Sequence, residues 1–296
     1  MTGGCCLNLA DATVRPDPLL YSQPYLMAQG LAVTWDNPDI ELFDNGVGVP
    51  SSALEPDHGY DVRVRVWNGS YNSAAINLPV HLSFLTFGIA TTSTPIGVQT
   101  IPLLGAKGTT AQPATVTFRW RTPALAGHYC LQAFLDCPED ANPANNLGQE
   151  NVLVGELASP ATFRFTVRNS AAVRRTFEFE ADTYELATRT PCGDEYAHQF
   201  GDRRFPSRLA ESRAHWAWAL RTQPYGAFPV PQDWSVRIDP NRVVLGRDEE
   251  HAVDVTIEPR SPAFVGRKAF NIRGFALSTD GSARQPVGGV TLHVTG

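Results

Sequence analysis

The chain is short of charge and of long apolar runs, and each shortage excludes a class of protein. Charged residues make up 18% of the 296 positions, and 24 Lys and Arg against 30 Asp and Glu give a formal net charge of −6. Because no basic stripe recurs along the chain, a nucleic-acid backbone is not expected as a partner. No run of about 20 apolar residues occurs, so no membrane-spanning helix is expected.

Cysteine and targeting signals are also sparse. The five cysteines cannot all pair, and they are too few for a disulfide scaffold, so their redox state stays open. They are Cys5, Cys6, Cys130, Cys137 and Cys192. The opening segment MTGGCCLNLADATVRPDP has neither a basic n-region nor a long apolar core, so we recognise no secretory signal peptide in it. The cellular location is unknown on this evidence.

Turn-forming residues, in contrast, are abundant, with 23 prolines and 24 glycines separating short alternating segments. In GYDVRVRVWNGS, apolar and polar residues alternate up to Asn68, which is typical of a half-buried strand that ends in a turn. The segment ATFRFTVRNSA repeats the pattern up to Asn169, and the two segments align without a gap from Val62 with Phe163 onward. This self-similarity predicts one domain type used twice.

These patterns predict an all-β fold of two tandem immunoglobulin-like antiparallel β-sandwiches, the second with a partly helical insertion. The predicted layout is an extended N-terminal arm over residues 1–30, a first sandwich over 31–157 and a second sandwich over 158–296. The insertion, at about 187–232, is too long for a plain loop. Within it, residues 207–221 fit a short helix capped by Ser207, although the alternation from Trp216 to Leu220 also fits a strand.

Two stretches of the chain resemble known families. The segment TPALAGHYCLQAFLD, followed by ANPANNLGQENV, resembles bacterial cell-adhesion-related (CARDB-like) domains, in which a G-x-Y-x-L-x-A-x-x-D strand leads into an Asn-rich turn and a last strand. The matching residues are Gly127, Tyr129, Leu131, Ala133, Asp136, Asn142, Asn145 and Asn146. The segment WSVRIDPNRVVLGRDEEHAVDVTIEP is similar to immunoglobulin-like modules that accompany bacterial surface proteins and glycosidases, although Asp233 replaces the usual glycine before Trp234. Both resemblances imply a spacer, adhesion or assembly module at the cell surface or outside the cell.

The Asn-rich turn is the first candidate site. Asp136, Asp140 and Asn142 carry oxygens of the kind that Ca²⁺ prefers, yet no EF-type spacing is present. Because Asn and Asp side chains also satisfy turn backbones, turn structure is the favoured interpretation and a calcium site the alternative. Cys130 is expected in the core, and Cys137, seven positions on, points to the opposite face of the strand, so the two cannot form a disulfide within it.

The insertion is the second candidate site. Its potential metal ligands or acid/base groups include Cys192, His198, Asp202 and His215. Without Cys-x-x-Cys or His-Glu-x-x-His spacing, a solvated loop is favoured over a metal or catalytic site. Its aromatic residues are Trp216, Trp218, Tyr225 and Phe228. These rings are predicted either to cap the end of the sandwich core or to bind a sugar or a partner protein.

No nucleophile elbow and no phosphate-binding glycine loop is recognised in the sequence. The sequence therefore favours a non-enzymatic structural or interaction protein, which acts in adhesion or assembly, needs no cofactor and has other proteins as partners. Self-assembly through the N-terminal arm is one form of this hypothesis. The alternative is a carbohydrate-binding accessory module that uses the aromatic residues of the insertion. An enzyme that uses the insertion is the third hypothesis.

Overall fold

The computed structural model describes residues 15–155, 162–185, 228–260, 264–278 and 283–295. Antiparallel strands dominate these ranges and form four sheets, which confirms the all-β prediction. The strands are β1 (Pro18–Leu19), β2 (Ile40–Asp44), β3 (Val47–Val49), β4 (Gly59–Asn68), β5 (Ala75–Thr86), β6 (Gly88–Ile89), β7 (Ser93–Leu104), β8 (Ala114–Arg121), β9 (Gly127–Leu135), β10 (Leu147–Val154), β11 (Thr162–Arg168), β12 (Arg175–Asp182), β13 (Trp234–Asp239), β14 (Arg242–Leu245), β15 (Glu250–Pro259), β16 (Arg267–Leu277) and β17 (Arg284–Thr295). No helix within the described ranges is long and apolar enough to span a membrane.

The first sandwich packs the sheet of β3, β2, β4 and β8 against the sheet of β10, β9, β5 and β7. The short strand β1 pairs with the end of β4. Val62, Val64 and Val66 of β4 are each 0% exposed, as their alternation with polar residues predicts. Their side chains enter one apolar core together with residues from the facing sheet.

The second sandwich packs the sheet of β13, β15, β11 and β6 against the sheet of β14, β12, β16 and β17. Phe163, Phe165 and Val167 of β11 are buried, as the sequence pattern predicts. Trp234 begins β13 and is 3% exposed, with its ring 5.0 Å from the ring of Phe270. The two sandwiches therefore have separate apolar cores.

The segment around the Asn-rich turn also folds as predicted. Strand β9 leads into a 3-10 turn at Pro143–Asn145, and β10 returns antiparallel to β9. Cys130 is 3% exposed, whereas Cys137 is partly buried, and both are free thiols. Burial raises the pKa of the Cys130 thiol, which makes it a core residue with little thiolate character.

The N-terminal segment differs from the predicted extended arm from Arg15 onward. Pro18 and Leu19 pair with β4 of the same chain, and Gln23–Ala28 form the helix α1 with proline in its first turn. Met27 packs with Trp35 and Phe275 in a small third core. The prediction missed this helix because burial of Met27, rather than a cap or a long periodic pattern, stabilises so short an element.

Two predictions fall on residues that the structure does not describe. The proposed boundary at 157/158 lies within residues 156–161, so the domain limits stay predictions. The predicted helix over 207–221 and most of the insertion at 187–232 also lie outside the described residues.

Candidate functional site

Most of the candidate residues in the insertion lie outside the described ranges. They are Cys192, His198, Asp202, His215, Trp216, Trp218 and Tyr225. Phe228 is described, and its ring lies 4.8 Å from the ring of Tyr184, which is 6% exposed. The Phe228 carbonyl accepts a hydrogen bond from the Thr183 backbone N–H (2.9 Å). Phe228 therefore packs against the second sandwich.

The Asn-rich turn makes many hydrogen bonds to its own segment. Asp140 Oδ1 accepts a bond from the Asn142 backbone N–H (2.7 Å), and Asn146 Nδ2 donates to the Leu135 carbonyl (3.1 Å). Asp136 lies apart, half exposed, with a carboxylate oxygen 3.9 Å from His81 Nε2. Within the described ranges, no group of three or more His, Cys, Asp or Glu side chains is placed to hold a metal ion.

Thr291 on β17 is the centre of the junction between the two sandwiches. Its Oγ1 accepts a hydrogen bond from the Trp35 backbone N–H (2.7 Å) and donates to Asn271 Oδ1 (2.7 Å). Its carbonyl accepts from Asn151 Nδ2 of β10 (3.2 Å). Thr291 is 2% exposed, and an unmet polar group at such a position costs about 1–3 kcal/mol. The network therefore favours one relative placement of the sandwiches.

A buried ion pair continues this network into the second sandwich. Asn271 Nδ2 donates to Asp182 Oδ1 (2.7 Å), and Arg273 Nε lies 3.0 Å from Asp182 Oδ2. The side chains of Arg273 and Asp182 are 5% and 4% exposed. Burial raises the pKa of Asp182, while Asn271 and Arg273 act to lower it. Removing one member of such a pair is costly because it leaves the other charge buried and unpaired.

The connection between β5 and β7 forms the opposite side of the junction. It carries β6, which lies in the first half of the chain but pairs in parallel with β11 of the second sandwich. A side chain at Gly88 would clash with the Thr166 carbonyl, so this close approach requires glycine. The Phe87 ring stacks on His128 of β9 (4.6 Å), and His128 meets the edge of Phe163 (5.7 Å). Burial, together with the charge of His293, lowers the pKa of His128 to about 4.

A polar pocket of about 330 Å³ opens at the rim of the junction. Arg267 Nε donates to His293 Nδ1 (3.0 Å), and His293 Nε2 lies 3.1 Å from Asp36 Oδ1. The Ala269 backbone N–H donates to Glu185 Oε1 (3.1 Å). The charged side chains that line the pocket are therefore hydrogen-bonded within the protein. The Asp36–His293 contact is a further bond between the two sandwiches.

Strand β7 is the second feature of interest because it is a long sheet edge without charge. It runs for 12 residues at the end of its sheet, and no described strand pairs with its outer side. Between Val66 and Ala106 the sequence contains no Asp, Glu, Lys or Arg, and His81 is the one histidine. Val98 is 54% exposed, and it lies in register with His81 and then with Phe134, which is 42% exposed.

The other sheet edges in the described ranges are protected in ways that natural proteins use against unwanted pairing. The strands β1, β3 and β6 are three residues long or shorter. The backbone carbonyls of Trp35 and Ser51 accept hydrogen bonds from the N–H groups of Asn151 and Leu153, so the β10 edge is covered. The strands β8, β13, β14 and β17 each carry arginine. Strand β7 differs from them because it is long and uncharged, although Pro95, Pro102 and a register shift at Ile96 interrupt it.

Sequence reasoning missed the junction and did not single out β7. The contact between Trp35 and Thr291 joins residues 256 positions apart, and no local pattern encodes such a pairing. The long stretch without charge around β7 is visible in the sequence. Its meaning depends on the strand being at a sheet edge, which only the topology establishes.

Comparisons with known proteins give no family. No family model matches the chain, and no curated protein matches it. The CARDB-like resemblance therefore stays a prediction.

Solved structures share only a weak likeness with the chain. A Salmonella alpha-2-macroglobulin mutant is 9% identical at a TM-score of 0.27, over 86% of this chain and 16% of its own. Escherichia coli alpha-2-macroglobulin activated by porcine elastase is 10% identical at a TM-score of 0.23, over 88% of this chain and 22% of its own. The Yersinia pseudotuberculosis adhesin InvE is 12% identical at a TM-score of 0.21, over 82% of this chain and 57% of its own. The chain spans less than two thirds of each, and likenesses at these scores carry no argument about function.

Proposed function

We propose that the protein is a non-enzymatic structural and interaction module that assembles with a second copy of itself through β7. The observation that carries this proposal is the contrast between β7 and the other sheet edges of the described residues. An unpaired edge presents backbone N–H and C=O groups to any approaching strand, and a charged side chain is the usual obstacle to pairing. On β7 that obstacle is missing over 12 residues.

A second copy fits this edge better than a charged partner does. Two copies with a net charge of −6 repel each other over most of their surface, and the uncharged β7 region is where that repulsion is least. Exposed Val98 lies on β7 itself, so its side chain would lie beside the partner strand and lose part of its exposed apolar surface.

The positions of two prolines limit the pairing. Pro95 and Pro102 lack the N–H that a ladder needs, so pairing is confined to the residues between them. If a twofold axis perpendicular to the sheet relates two antiparallel copies of β7, each face of the first sheet continues as the same face of the second. One residue of β7 then lies directly opposite its own copy. With Val98 on the axis, Gly97 pairs with Gln99 of the second copy, and neither a proline nor the register shift at Ile96 enters the ladder.

The junction between the two sandwiches is the basis for proposing a structural role. If Thr291 and the Asp36–His293 contact fix the second sandwich relative to the first, a β7 pair would project its two second sandwiches at a defined angle. That arrangement suits a spacer or a subunit of a larger assembly, in adhesion or elsewhere. The N-terminal segment supports this role differently from the predicted arm, because residues 18–28 are engaged within the chain.

The test is sedimentation equilibrium of the wild type, Val98→Lys and Val47→Lys under reducing conditions, up to about 1 mM protein, the weak end of specific association. Val47 is 69% exposed on β3 of the opposite sheet, so it receives the same change of charge away from β7. We expect the wild type and Val47→Lys to approach twice the monomer mass. Val98→Lys should stay monomeric, because like charges directly opposite each other oppose pairing.

A further inference from the structure

The Asn-rich turn holds a surplus of hydrogen-bond acceptors that its turn role does not use. We define the Asn-turn cluster as Asp17, Asp140, Asn145 and Asn146. Asp140, Asn145 and Asn146 are 7%, 5% and 2% exposed. Asp140 Oδ2, Asn145 Oδ1 and Asn146 Oδ1 are all buried and make no hydrogen bond of normal geometry among the described residues, although the Asn146 side chain approaches Asp140. Native proteins leave few buried polar atoms in this condition.

The hydrogen bonds that the NH₂ groups of Asn145 and Asn146 donate fix the orientation of both side-chain amides. Asn145 Nδ2 donates to Asp17 Oδ1 (2.9 Å), and Asn146 Nδ2 donates to the Leu135 carbonyl (3.1 Å). Rotating either amide would turn its NH₂ group away from these acceptors and leave two oxygen atoms facing each other. The two Oδ1 atoms are therefore acceptors, and no exchange of nitrogen and oxygen removes the surplus.

The charges in the cluster also favour a bound cation. Asp17 and Asp140 lie close enough for their charges to interact. The side chain of Asn146 lies against Asp140, and that of Asn145 lies against Asp17, so the four side chains form one group. Lys107 is the cation that acts on Asp17, and its effect is the smallest of those acting there. The group thus combines two carboxylates with buried amide oxygens that lack a hydrogen-bond donor among the described residues.

We propose that the Asn-turn cluster binds a Ca²⁺ ion. Carboxylate and amide oxygens are the ligands that Ca²⁺ takes, and Ca²⁺ tolerates the irregular geometry of a turn better than Mg²⁺ does. The ion would meet the unpaired oxygens of Asp140, Asn145 and Asn146 and offset the repulsion between the two carboxylates. Backbone carbonyls and water would complete the coordination shell.

A cation at this place has a structural consequence. Asp17 belongs to the segment before β1, whereas Asp140, Asn145 and Asn146 belong to the connection between β9 and β10. The backbone already joins the two, because the Ala141 N–H donates to the Pro16 carbonyl (2.8 Å) and the Leu20 N–H donates to the Asn145 carbonyl (3.3 Å). Bound Ca²⁺ would strengthen the attachment of the N-terminal segment to the first sandwich. This inference does not depend on pairing through β7.

Thermal unfolding and calorimetric titration test the site on the full chain after treatment with EDTA. We expect CaCl₂ to raise the unfolding midpoint of the wild type and to bind with one ion per chain, while MgCl₂ at equal concentration has a smaller effect. The variant is Asp140→Asn, which keeps size and one oxygen but removes charge. It should weaken Ca²⁺ binding by about tenfold or more.

The matched control is Asp136→Asn in the same turn, whose carboxylate is 57% exposed and lies outside the cluster. It should bind Ca²⁺ as the wild type does. If Asp140→Asn fails to fold, Asp17→Asn takes its place with the same expectation. Two results would overturn the proposal: no Ca²⁺-dependent shift in the wild type, or a shift of equal size when the cluster carboxylate is removed.

Discussion

Asn68 and Asn169 occupy equivalent places at the ends of β4 and β11, and each ties its turn to the neighbouring strand connection. Asn68 Oδ1 accepts the N–H of Ser70, and Asn169 Oδ1 accepts the N–H of Ala171, two positions on in both cases. Asn68 Nδ2 donates to the Ser73 and Gly105 carbonyls. Asn169 Nδ2 likewise donates across its turn to the carbonyls of Val173, Leu245 and Gly246. The gap-free alignment of the two strands thus extends to the same side-chain role.

Replacing either asparagine with alanine should destabilise the protein strongly. Both are nearly inaccessible, at 2% and 1% exposed, and truncation would leave buried carbonyls and an N–H without partners. We expect Asn68→Ala and Asn169→Ala each to lower the free energy of unfolding by about 2–4 kcal/mol. The control Asn241→Ala, at an exposed position, should change it by less than about 0.5 kcal/mol. Urea unfolding followed by tryptophan fluorescence measures all three.

Thr291→Val tests the junction with an almost isosteric change. Loss of the hydroxyl leaves the Trp35 N–H and Asn271 Oδ1 each without a buried partner. We expect a loss of about 2–3 kcal/mol and faster hydrogen exchange of the segment around Trp35. Thr117→Val, on the exposed face of β8, is the matched control and should leave both unchanged. Unaltered exchange around Trp35 in Thr291→Val would mean that this hydroxyl does not hold the junction.

His128 should make the junction sensitive to acid. Its ring is held between Phe87 and Phe163, and burial lowers its pKa from 6.5 to about 4. Between these two pH values the unfolded chain binds the proton and the folded chain does not, so stability falls as the pH falls. Above about pH 6.5 His128 costs the fold no stability, and the loss grows as the pH falls, to at most about 3 kcal/mol near pH 4.

The comparison of wild type with His128→Leu isolates this contribution. Glu150 and other buried carboxyls with raised pKa values titrate in both proteins, so their effects cancel in the difference. Unfolding midpoints in urea at several pH values from 7 to 4 should fall more steeply for the wild type than for His128→Leu. Parallel curves would show that His128 takes up its proton without cost to the fold.

The carbohydrate-binding alternative rests on residues that the structure does not describe. Of its four aromatic residues, Phe228 is described and packs on Tyr184. If the alternative holds, a glycan array would give signals for the wild type that Trp218→Ala loses. The assembly account predicts no sugar-dependent signal for either protein.

The parts of the fold that local sequence determines were predictable, and the parts that distant contacts determine were not. Alternation placed the side chains of β4 and β11 correctly because one face of each strand meets an apolar core. The helix at Gln23–Ala28 was missed because its stability comes from the core around Trp35. The pairing of β6 with β11 was missed for the same reason, since two residues carry no pattern of their own.

The residue types of the candidate sites were likewise predictable from the sequence, whereas their contacts were not. The sequence drew attention to Asp140 through the oxygens around it, but the unmet acceptors of Asn145 and Asn146 appear once the turn is folded. Asp17, from the predicted arm, could not be assigned to that group because its contact with Asn145 spans 128 positions. In each case the residue types were readable and the proximity was not.

Sedimentation equilibrium of the wild type beside Val98→Lys and Val47→Lys tests the central claim most directly. The account predicts that the mass of the wild type rises with concentration toward a dimer, that Val47→Lys does the same, and that Val98→Lys remains a monomer. A wild type that stays monomeric throughout the series, or a Val98→Lys protein that dimerises as readily as Val47→Lys, would contradict assembly through β7.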